Sequence, residues 1–131
     1  MVKAMKAKQV SFSLPSKIGL LSEVSALITA AKINIEAICA YQMDEQGFFM
    51  LMTDNLAKTK KIVSHMGAEV SVDDLIAVEM PNKIGELQKV AKKISDAGID
   101  IEYIYGSPVK GKMTITLKTA NDKKALKVLN K

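Results

Sequence analysis

Two stretches of this chain share one pattern: LPSKIGLLSEVSALITAAKINIEAI at residues 14–38 and MPNKIGELQKVAKKISDAGIDIEYI at residues 80–104. Aligned without gaps at an offset of 66 residues, they are identical at 12 of 25 positions. Self-similarity at a fixed offset is typical of a duplicated structural unit. The sequence therefore predicts two copies of one small fold.

Each copy begins with the same three elements. Alternating apolar residues predict a first strand at residues 9–14 in one copy and 75–80 in the other. A proline ends this strand, and apolar residues spaced by three and four then predict a helix with one buried stripe. The stripe residues are Ile18, Leu21, Val24, Leu27, Ile28 and Ala31 in the first copy and Ile84, Leu87, Val90, Ile94 and Ala97 in the second. Runs rich in isoleucine at residues 33–38 and 99–104 predict the second strand.

The remaining elements complete a known arrangement. Gly47 and Gly111 mark turns into third strands, and a lysine-rich helix follows in each copy. The third strands are predicted at residues 48–53 and 112–119, the helices at 56–66 and 122–129, and a fourth strand at 68–72 in the first copy only. The order β-α-β-β-α-β indicates an α+β, ferredoxin-like fold, in which an antiparallel sheet carries both helices on one face.

The duplication predicts two domains, residues 1–72 and residues 73–131, joined by a short connection at residues 71–74. The second copy has no fourth strand after its lysine-rich helix. An unpaired strand edge is a template for binding another chain. We therefore expect an open sheet edge in the second copy unless something covers it.

Composition narrows the partners and the compartment. All 19 cationic side chains are lysine, and the formal net charge is +5. Specific reading of nucleic acid favours the bidentate guanidinium of arginine, so nucleic acid is at most a third alternative. No apolar run is long enough to span a membrane, and the N-terminal residues lack the apolar stretch of a signal peptide. The single cysteine, Cys39, fits a reducing compartment, so we expect a cytoplasmic protein without a membrane partner.

The lysines that keep the nucleic-acid alternative open lie on the second helix of each copy. They are Lys58, Lys60, Lys61, Lys123, Lys124 and Lys127. A solvated surface is the simpler explanation for this lysine excess.

The turn into the first helix of each copy has residues that suit a small anion. Gly19 and Gly85 fall in the first helical turn and remove a side chain where a ligand would approach the backbone. Lys17 and Lys83 add positive charge beside a helix N-terminus, whose unpaired N–H groups attract a carboxylate. The structural alternatives are that the glycines serve close packing of helix on sheet and that the lysines are only solvated.

Four further polar residues have both a binding and a structural interpretation. Asn34 and Asp100 offer oxygen acceptors for an ammonium group, or they only end the turn out of the helix. Ser16 and Asn82 stand where helix N-caps belong, and such a residue can cap and bind a ligand at once.

The quoted pattern resembles the ACT domain, a small regulatory module with a βαββαβ ferredoxin-like fold that commonly binds amino acids. The resemblance lies in a strand, then Pro-x-Lys-Ile-Gly-x-Leu, a helix, and Ile-Asn-Ile or Ile-Asp-Ile. Both copies match in register and together cover nearly the whole chain. This arrangement is similar to stand-alone tandem ACT proteins, which have no attached enzyme.

The resemblance implies where a ligand would bind. ACT domains commonly associate side by side through their second strands, and the ligand sits at that junction against the loop between the first strand and the first helix. The implied loop contacts are Ser16, Lys17, Ile18, Gly19 and Leu20 in the first copy and Asn82, Lys83, Ile84, Gly85 and Glu86 in the second. Asn34 and Asp100 occupy the position of the asparagine that often opens the second strand in this family.

Two departures from the family pattern bear on the ligand. Ile18 and Ile84 replace the proline that usually precedes the loop glycine. Leu14 and Met80 replace a polar side chain that some amino-acid-binding members carry at the end of the first strand. The identity of the ligand, and whether both copies bind one, therefore stay open at this point.

The sequence argues against catalysis. It contains no Ser-His-Asp or Cys-His set, no cluster with metal-ligand spacing and no phosphate-binding glycine loop, and His65 is its one histidine. We predict a non-catalytic regulatory protein without cofactor or metal, which senses an amino acid at the junction of two ACT repeats and forms a homodimer. The alternative is a regulatory or structural subunit that binds a partner enzyme through the open sheet edge.

Overall fold

The computed structural model describes residues 2–131, which form six strands and four helices. The elements in chain order are β1 (Lys3–Pro15), α1 (Leu20–Ala30), β2 (Ile35–Met43), β3 (Gln46–Thr53), α2 (Leu56–His65), β4 (Glu69–Pro81), α3 (Glu86–Asp96), β5 (Ile101–Val109), β6 (Lys112–Thr119) and α4 (Asp122–Leu129). They form two compact units. The first unit is Lys8–Asp73, and the second unit is Asp74–Lys131 together with residues 2–7.

Each unit has the predicted ferredoxin-like architecture. The strand order is β2-β3-β1-β4 in the first unit and β1-β4-β6-β5 in the second. Strand β3 is antiparallel to both β1 and β2, and β6 is antiparallel to both β4 and β5. Two helices accompany each sheet, α1 with α2 and α3 with α4. The predicted α+β fold with two ferredoxin-like repeats is therefore confirmed.

Strands β1 and β4 are longer than the sequence predicted, with 13 residues each. Residues 71–74, predicted as a connection between domains, lie inside β4. The strand pattern continues there because Val70 and Val72 stand at alternate positions ahead of the buried Leu75. One part of each long strand belongs to each unit, and residues 2–7 group with the second unit rather than with the first copy.

The start of β1 supplies the fourth strand of the second unit. Ala4 is 7% exposed and belongs to a core that includes Ile76 and Val78. Beyond α4, the Asn130 side chain donates to the Ala4 carbonyl at 2.9 Å and accepts from the Ala4 N–H at 2.8 Å. The prediction of an open edge in the second copy is therefore wrong, because the first residues of β1 occupy it.

The first helix of each copy buries a narrower stripe than predicted. The fully buried residues are Leu20, Val24 and Ile28 in α1 and Val90 and Ile94 in α3. Leu21, Leu27 and Leu87, which were predicted to be core residues, are 43–53% exposed. A helix lying on a sheet buries only the positions that face it, so these leucines stay at the margin. None of the helices in residues 2–131 is long and apolar enough to cross a membrane.

Each unit has its own hydrophobic core. In the first unit, Phe12 and Phe49 pair across β1 and β3 and stack with ring centroids 4.9 Å apart. The buried residues of the second core are aliphatic, apart from Met80. These packed cores fix the sheet edges and the loops on which the candidate site is built.

Gly47 does not make the turn that the sequence predicted. The turn between β2 and β3 is formed by Asp44 and Glu45, with φ of 52° and 62°, while Gly47 is buried inside β3. A Cβ at Gly47 would lie 2.8 Å from Cδ2 of Leu20. Gly47 is therefore required because the first residue of α1 packs directly over it.

Candidate ligand-binding site

The loop from β1 to α1 and the loop from β4 to α3 have the same backbone conformation. Gly19 (φ 85°, ψ 6°) and Gly85 (φ 87°, ψ −7°) are both left-handed and both serve as the N-cap. In each loop, the residue after the glycine donates its N–H to the carbonyl of the loop lysine at 3.2 Å. The duplication therefore preserves a turn that depends on a left-handed glycine.

The structure contradicts the prediction that Ser16 and Asn82 are helix N-caps. Gly19 and Gly85 hold that position, and neither α1 nor α3 receives a capping hydrogen bond from a side chain. In α2 and α4, by contrast, an asparagine side chain caps the helix. The first N–H groups of α1 and α3 have no intrahelical acceptor and carry a partial positive charge. These two N-termini can therefore accept an anion.

The loop glycines are required by conformation and not by packing. A Cβ built on Gly19 or Gly85 would meet no atom within 4 Å. The alternative that they permit close helix–sheet contact is therefore wrong. A left-handed φ near 85° still disfavours any residue with a side chain. The same open space lets a ligand approach the backbone.

The loop residues around the glycines differ sharply in exposure. Ile18 and Ile84 are fully exposed. Leu20, predicted as a ligand contact, is 8% exposed and belongs to the core of the first unit. Its counterpart Glu86 is half-buried and pairs with Lys89 at 3.2 Å. The structure therefore gives Leu20 a packing role.

Both loops are tied to the hairpin tip beside them. In the first unit, the Ser16 N–H donates to the Glu45 carbonyl at 2.8 Å. In the second unit, the Asn82 N–H donates to the Gly111 carbonyl at 2.9 Å, and its side-chain amide donates to the Lys110 carbonyl at 3.2 Å. Each loop and its hairpin tip therefore form one continuous surface, which we call the loop-and-tip surface.

The two loop-and-tip surfaces carry opposite charge. In the first unit this surface comprises residues 16–23 and 44–46, and in the second unit residues 82–89 and 110–112. The charged residues of the first are Lys17, Glu23, Asp44 and Glu45, and those of the second are Lys83, Glu86, Lys89, Lys110 and Lys112. One lysine thus faces three carboxylates in the first unit, whereas four lysines face one carboxylate in the second.

Asn34 and Asp100 lie at the far end of their units from these loops. They precede β2 and β5, whereas the loops lie at the other ends of α1 and α3, which are 11 residues long. At 1.5 Å per residue, such a helix separates its ends by about 16 Å. Within one unit, the structure therefore does not bring the predicted anion-binding and cation-binding groups together.

The surroundings of Asn34 and Asp100 leave their side chains available. Both residues are exposed, and their printed hydrogen bonds use backbone atoms: the Asn34 N–H with the Asp54 carboxylate, and the carbonyl of each residue with the chain after β3 or β6. Asp100 also lines an open groove of ≈ 430 Å³ at the end of α3, together with Ser95 and Gly98. A carboxylate beside a helix C-terminus favours a cation.

Two lysines that the sequence assigned to a basic surface have a structural role. Lys58 Nζ donates to the Ala31 carbonyl at 3.1 Å, and Lys124 Nζ donates to the Ala97 carbonyl at 2.8 Å. Each lysine therefore binds a carbonyl where the preceding helix of its unit ends, α1 or α3. Their equal spacing in the duplication was the available signal for this role.

The other reactive side chains form no metal or catalytic cluster. In the part of the chain that the structure describes, no three His, Cys, Asp or Glu residues lie close enough to hold a metal ion. His65 is exposed at the end of α2 and lines an apolar groove of ≈ 410 Å³ between α1 and α2. Cys39 is half-buried on β2.

Comparison with known proteins gives a clear family. A family model described as an ACT domain pair matches residues 5–131. The solved structure of protein BT0572 from Bacteroides thetaiotaomicron is 29% identical, covers 97% of this chain and 88% of its own, and superposes with a TM-score of 0.90. No curated protein sequence matches this chain.

Two aspartokinase structures share the fold at lower identity. The regulatory subunit of aspartate kinase from Thermus thermophilus, in its ligand-free form, is 14% identical, with a TM-score of 0.70 over 98% of this chain and 94% of its own. A structure of aspartokinase alpha and beta subunits is 18% identical, with a TM-score of 0.66 over 98% and 95%. The family match spans both units and both loops. This chain belongs to the ACT family, as an ACT domain pair.

Proposed function

We propose that this chain is a non-catalytic regulatory protein that binds a free amino acid at a junction between ACT units. The observation that carries the proposal is the pair of uncapped helix N-termini, each behind a left-handed glycine with open space around it. Two such sites at matched positions are difficult to explain by stability alone, because a capping side chain would stabilise each helix by about 1 kcal/mol.

The carboxylate of the amino acid binds at the loop. The N-terminus of α1 or α3 offers backbone donors and a partial positive charge, and Lys17 or Lys83 stands beside it. Ser16 is half-buried in the first loop, where its hydroxyl can donate to the same ligand oxygen.

The ammonium group needs a second unit. The amino nitrogen and the carboxyl carbon of an amino acid are only about 2.5 Å apart. Asn34 and Asp100 lie about 16 Å from the loop of their own unit, the length of the intervening helix. One ligand therefore bridges the loop of one unit and the residue at position 34 or 100 of another.

The sheet edges allow that arrangement. Strands β2 and β5 each have only one neighbouring strand, β3 or β6, so their outer edges are unpaired. If two such edges pair antiparallel, the end of one strand, beside its loop, faces the start of the other, beside Asn34 or Asp100. Ile38 and Ile104, each 44% exposed, are apolar side chains that this pairing would cover.

A ligand at such a junction can regulate. It binds the associated state better than the separated one, and this difference in affinity shifts the equilibrium between the two states. Ligand level is then reported either by the assembly of a homodimer or by docking of the ligand-bound form on a partner enzyme. The alternative of partner binding through the open edge of the second copy loses its support, because β1 fills that edge.

A thermal-shift screen against the twenty amino acids tests the proposal. At a ligand concentration 100 times the Kd, binding stabilises the folded state by about 2.7 kcal/mol, which raises the Tm of a chain of this length by roughly 10 °C. We expect a shift with one chemical class of amino acid. A flat screen at millimolar ligand would refute the proposal.

Variants then place the site. Asn34→Ala and Asp100→Ala remove side chains that hold nothing in the described part of the fold, so their Tm without ligand should match that of the unsubstituted chain. At least one of them should abolish the ligand-induced shift. Lys60→Ala, on the exposed face of α2, is the control that should retain it.

A further inference from the structure

The two loops have one backbone and two opposite electrostatic environments. Their hydrogen-bonded turns and left-handed glycines are the same, as is the link from loop to hairpin tip. At matched positions 66 residues apart, however, Glu23 corresponds to Lys89 and Asp44 to Lys110. Because the geometry is held constant, the charge alone separates the two sites.

The loop-and-tip surface of the first unit opposes an anion. Its only lysine, Lys17, forms an ion pair with Glu23 at 2.6 Å. The link between Ser16 and the carbonyl of Glu45 keeps the acidic tip, Asp44 and Glu45, beside the loop. An anion at this helix N-terminus would therefore meet a neutralised lysine and two further carboxylates.

The loop-and-tip surface of the second unit favours an anion. Lys83 has no ion pair with any described residue. Glu86, the one carboxylate, is held by Lys89. The two hydrogen bonds from Asn82 keep the tip that carries Lys110 and Lys112 beside the loop.

We infer that the two ACT units are not equivalent, and that the loop of the second unit takes an amino acid with a carboxylate side chain while the loop of the first unit rejects it. This inference rests on the proposed function and adds the ligand's charge and the unit that binds it. A dicarboxylic amino acid presents one carboxylate to the N-terminus of α3 and the other to the lysines of the loop and tip. The first unit, with its acidic tip, is left for a neutral or cationic amino acid.

The expected size of the effect follows from Coulomb's law. A unit charge about 10 Å from a ligand charge changes affinity about twofold in water of low ionic strength. The exchange Lys89→Glu with Lys110→Asp changes the charge near the ligand by four units. It should therefore weaken binding of a dicarboxylic amino acid about 15-fold at low salt, and only about threefold at physiological salt.

Calorimetric titration of the full chain tests the inference. The probes are L-aspartate, L-glutamate, L-leucine and L-lysine at low and at physiological ionic strength. We expect aspartate or glutamate to bind more tightly than leucine, with an affinity that falls as salt rises. The double variant Lys89→Glu, Lys110→Asp should lose this binding by the stated factor.

The matched variant is Glu23→Lys with Asp44→Lys, which gives the first loop the charges of the second. It should add a second dicarboxylate site per chain. All four positions are exposed, and the hairpin position is left-handed in both units, so each exchange uses a residue that its counterpart already tolerates. Unchanged thermal unfolding of each variant confirms that its fold is intact.

The outcomes separate this inference from the proposed function. If leucine or lysine binds and the dicarboxylic probes do not, the inference is overturned and the proposed function stands. If aspartate or glutamate binds but the exchange in the second unit leaves its Kd and salt dependence unchanged, the assignment to that unit is overturned. If none of the twenty amino acids binds, the proposed function fails and the inference fails with it.

Discussion

Asn130→Ala should destabilise the protein by detaching the first residues of β1 from the second unit. The Asn130 side chain makes two hydrogen bonds to the backbone of Ala4, at 2.8 and 2.9 Å. A net contribution of about 1 kcal/mol per hydrogen bond gives a loss of about 2 kcal/mol in the free energy of unfolding. At an unfolding entropy of about 2.1 cal/mol/K per residue, the Tm should fall by roughly 7 °C.

Thermal unfolding followed by circular dichroism measures this loss. The control is Ser64→Ala, at the position of the first unit that matches Asn130, where the side chain is exposed and has no hydrogen bond within the described residues. Its Tm should change little, because exposed substitutions of this kind shift stability by less than about 0.5 kcal/mol. If Asn130→Ala unfolds at the same temperature as Ser64→Ala, β1 does not complete the second unit in the way described.

Three further substitutions test individual contacts. Gly106→Ala should cost about 1–3 kcal/mol in urea unfolding, because its Cβ would lie 2.8 Å from Ile115 Cα, and a variant as stable as the unsubstituted chain would refute the close approach of β5 and β6. Lys124→Met should lower the stability by about 1 kcal/mol, because it removes the donor to the carbonyl group beyond α3, whereas Lys123→Met should not. The hydrogen bond to Asp122 raises the pKa of Lys118. The stability that Lys118 contributes is therefore fully present below pH 10.5 and is lost as the pH rises through the raised pKa, so the cost of Lys118→Met should shrink between pH 9 and pH 12 by about 1 kcal/mol or less; a cost that grows with pH would contradict this.

The duplication made most of the fold predictable. The strand β6 and the helix α4 begin and end at the predicted residues. The start of β1 was not predictable from pattern, because its inward positions include only Val2 and Ala4 between lysines. Small residues give little hydrophobic alternation, and the pairing that orders them comes from distant segments, β4 and the end of α4.

The site was predictable in its residues but not in its geometry. A serine or asparagine after a proline is typical of an N-cap, yet the loop continues for three more residues before Gly19 or Gly85 begins the helix. Likewise, the sequence cannot show that Asn34 and Asp100 lie a helix length from the loops, because that separation arises from the β-α-β path. The opposite charges of the two loops were readable in the sequence, but their significance required the hydrogen bonds that join loop to tip.

The most direct test of the central claim is a ¹H–¹⁵N NMR titration of the labelled chain with the amino acid that gives the largest thermal shift. Gly19 and Gly85 report on the two loops, and Asn34 and Asp100 report on the far end of each unit. The account predicts that the amide signal of one loop glycine and that of Asn34 or Asp100 shift together along one saturation curve. Saturable shifts confined to α2 and α4, or no saturable shift with any of the twenty amino acids, would contradict it.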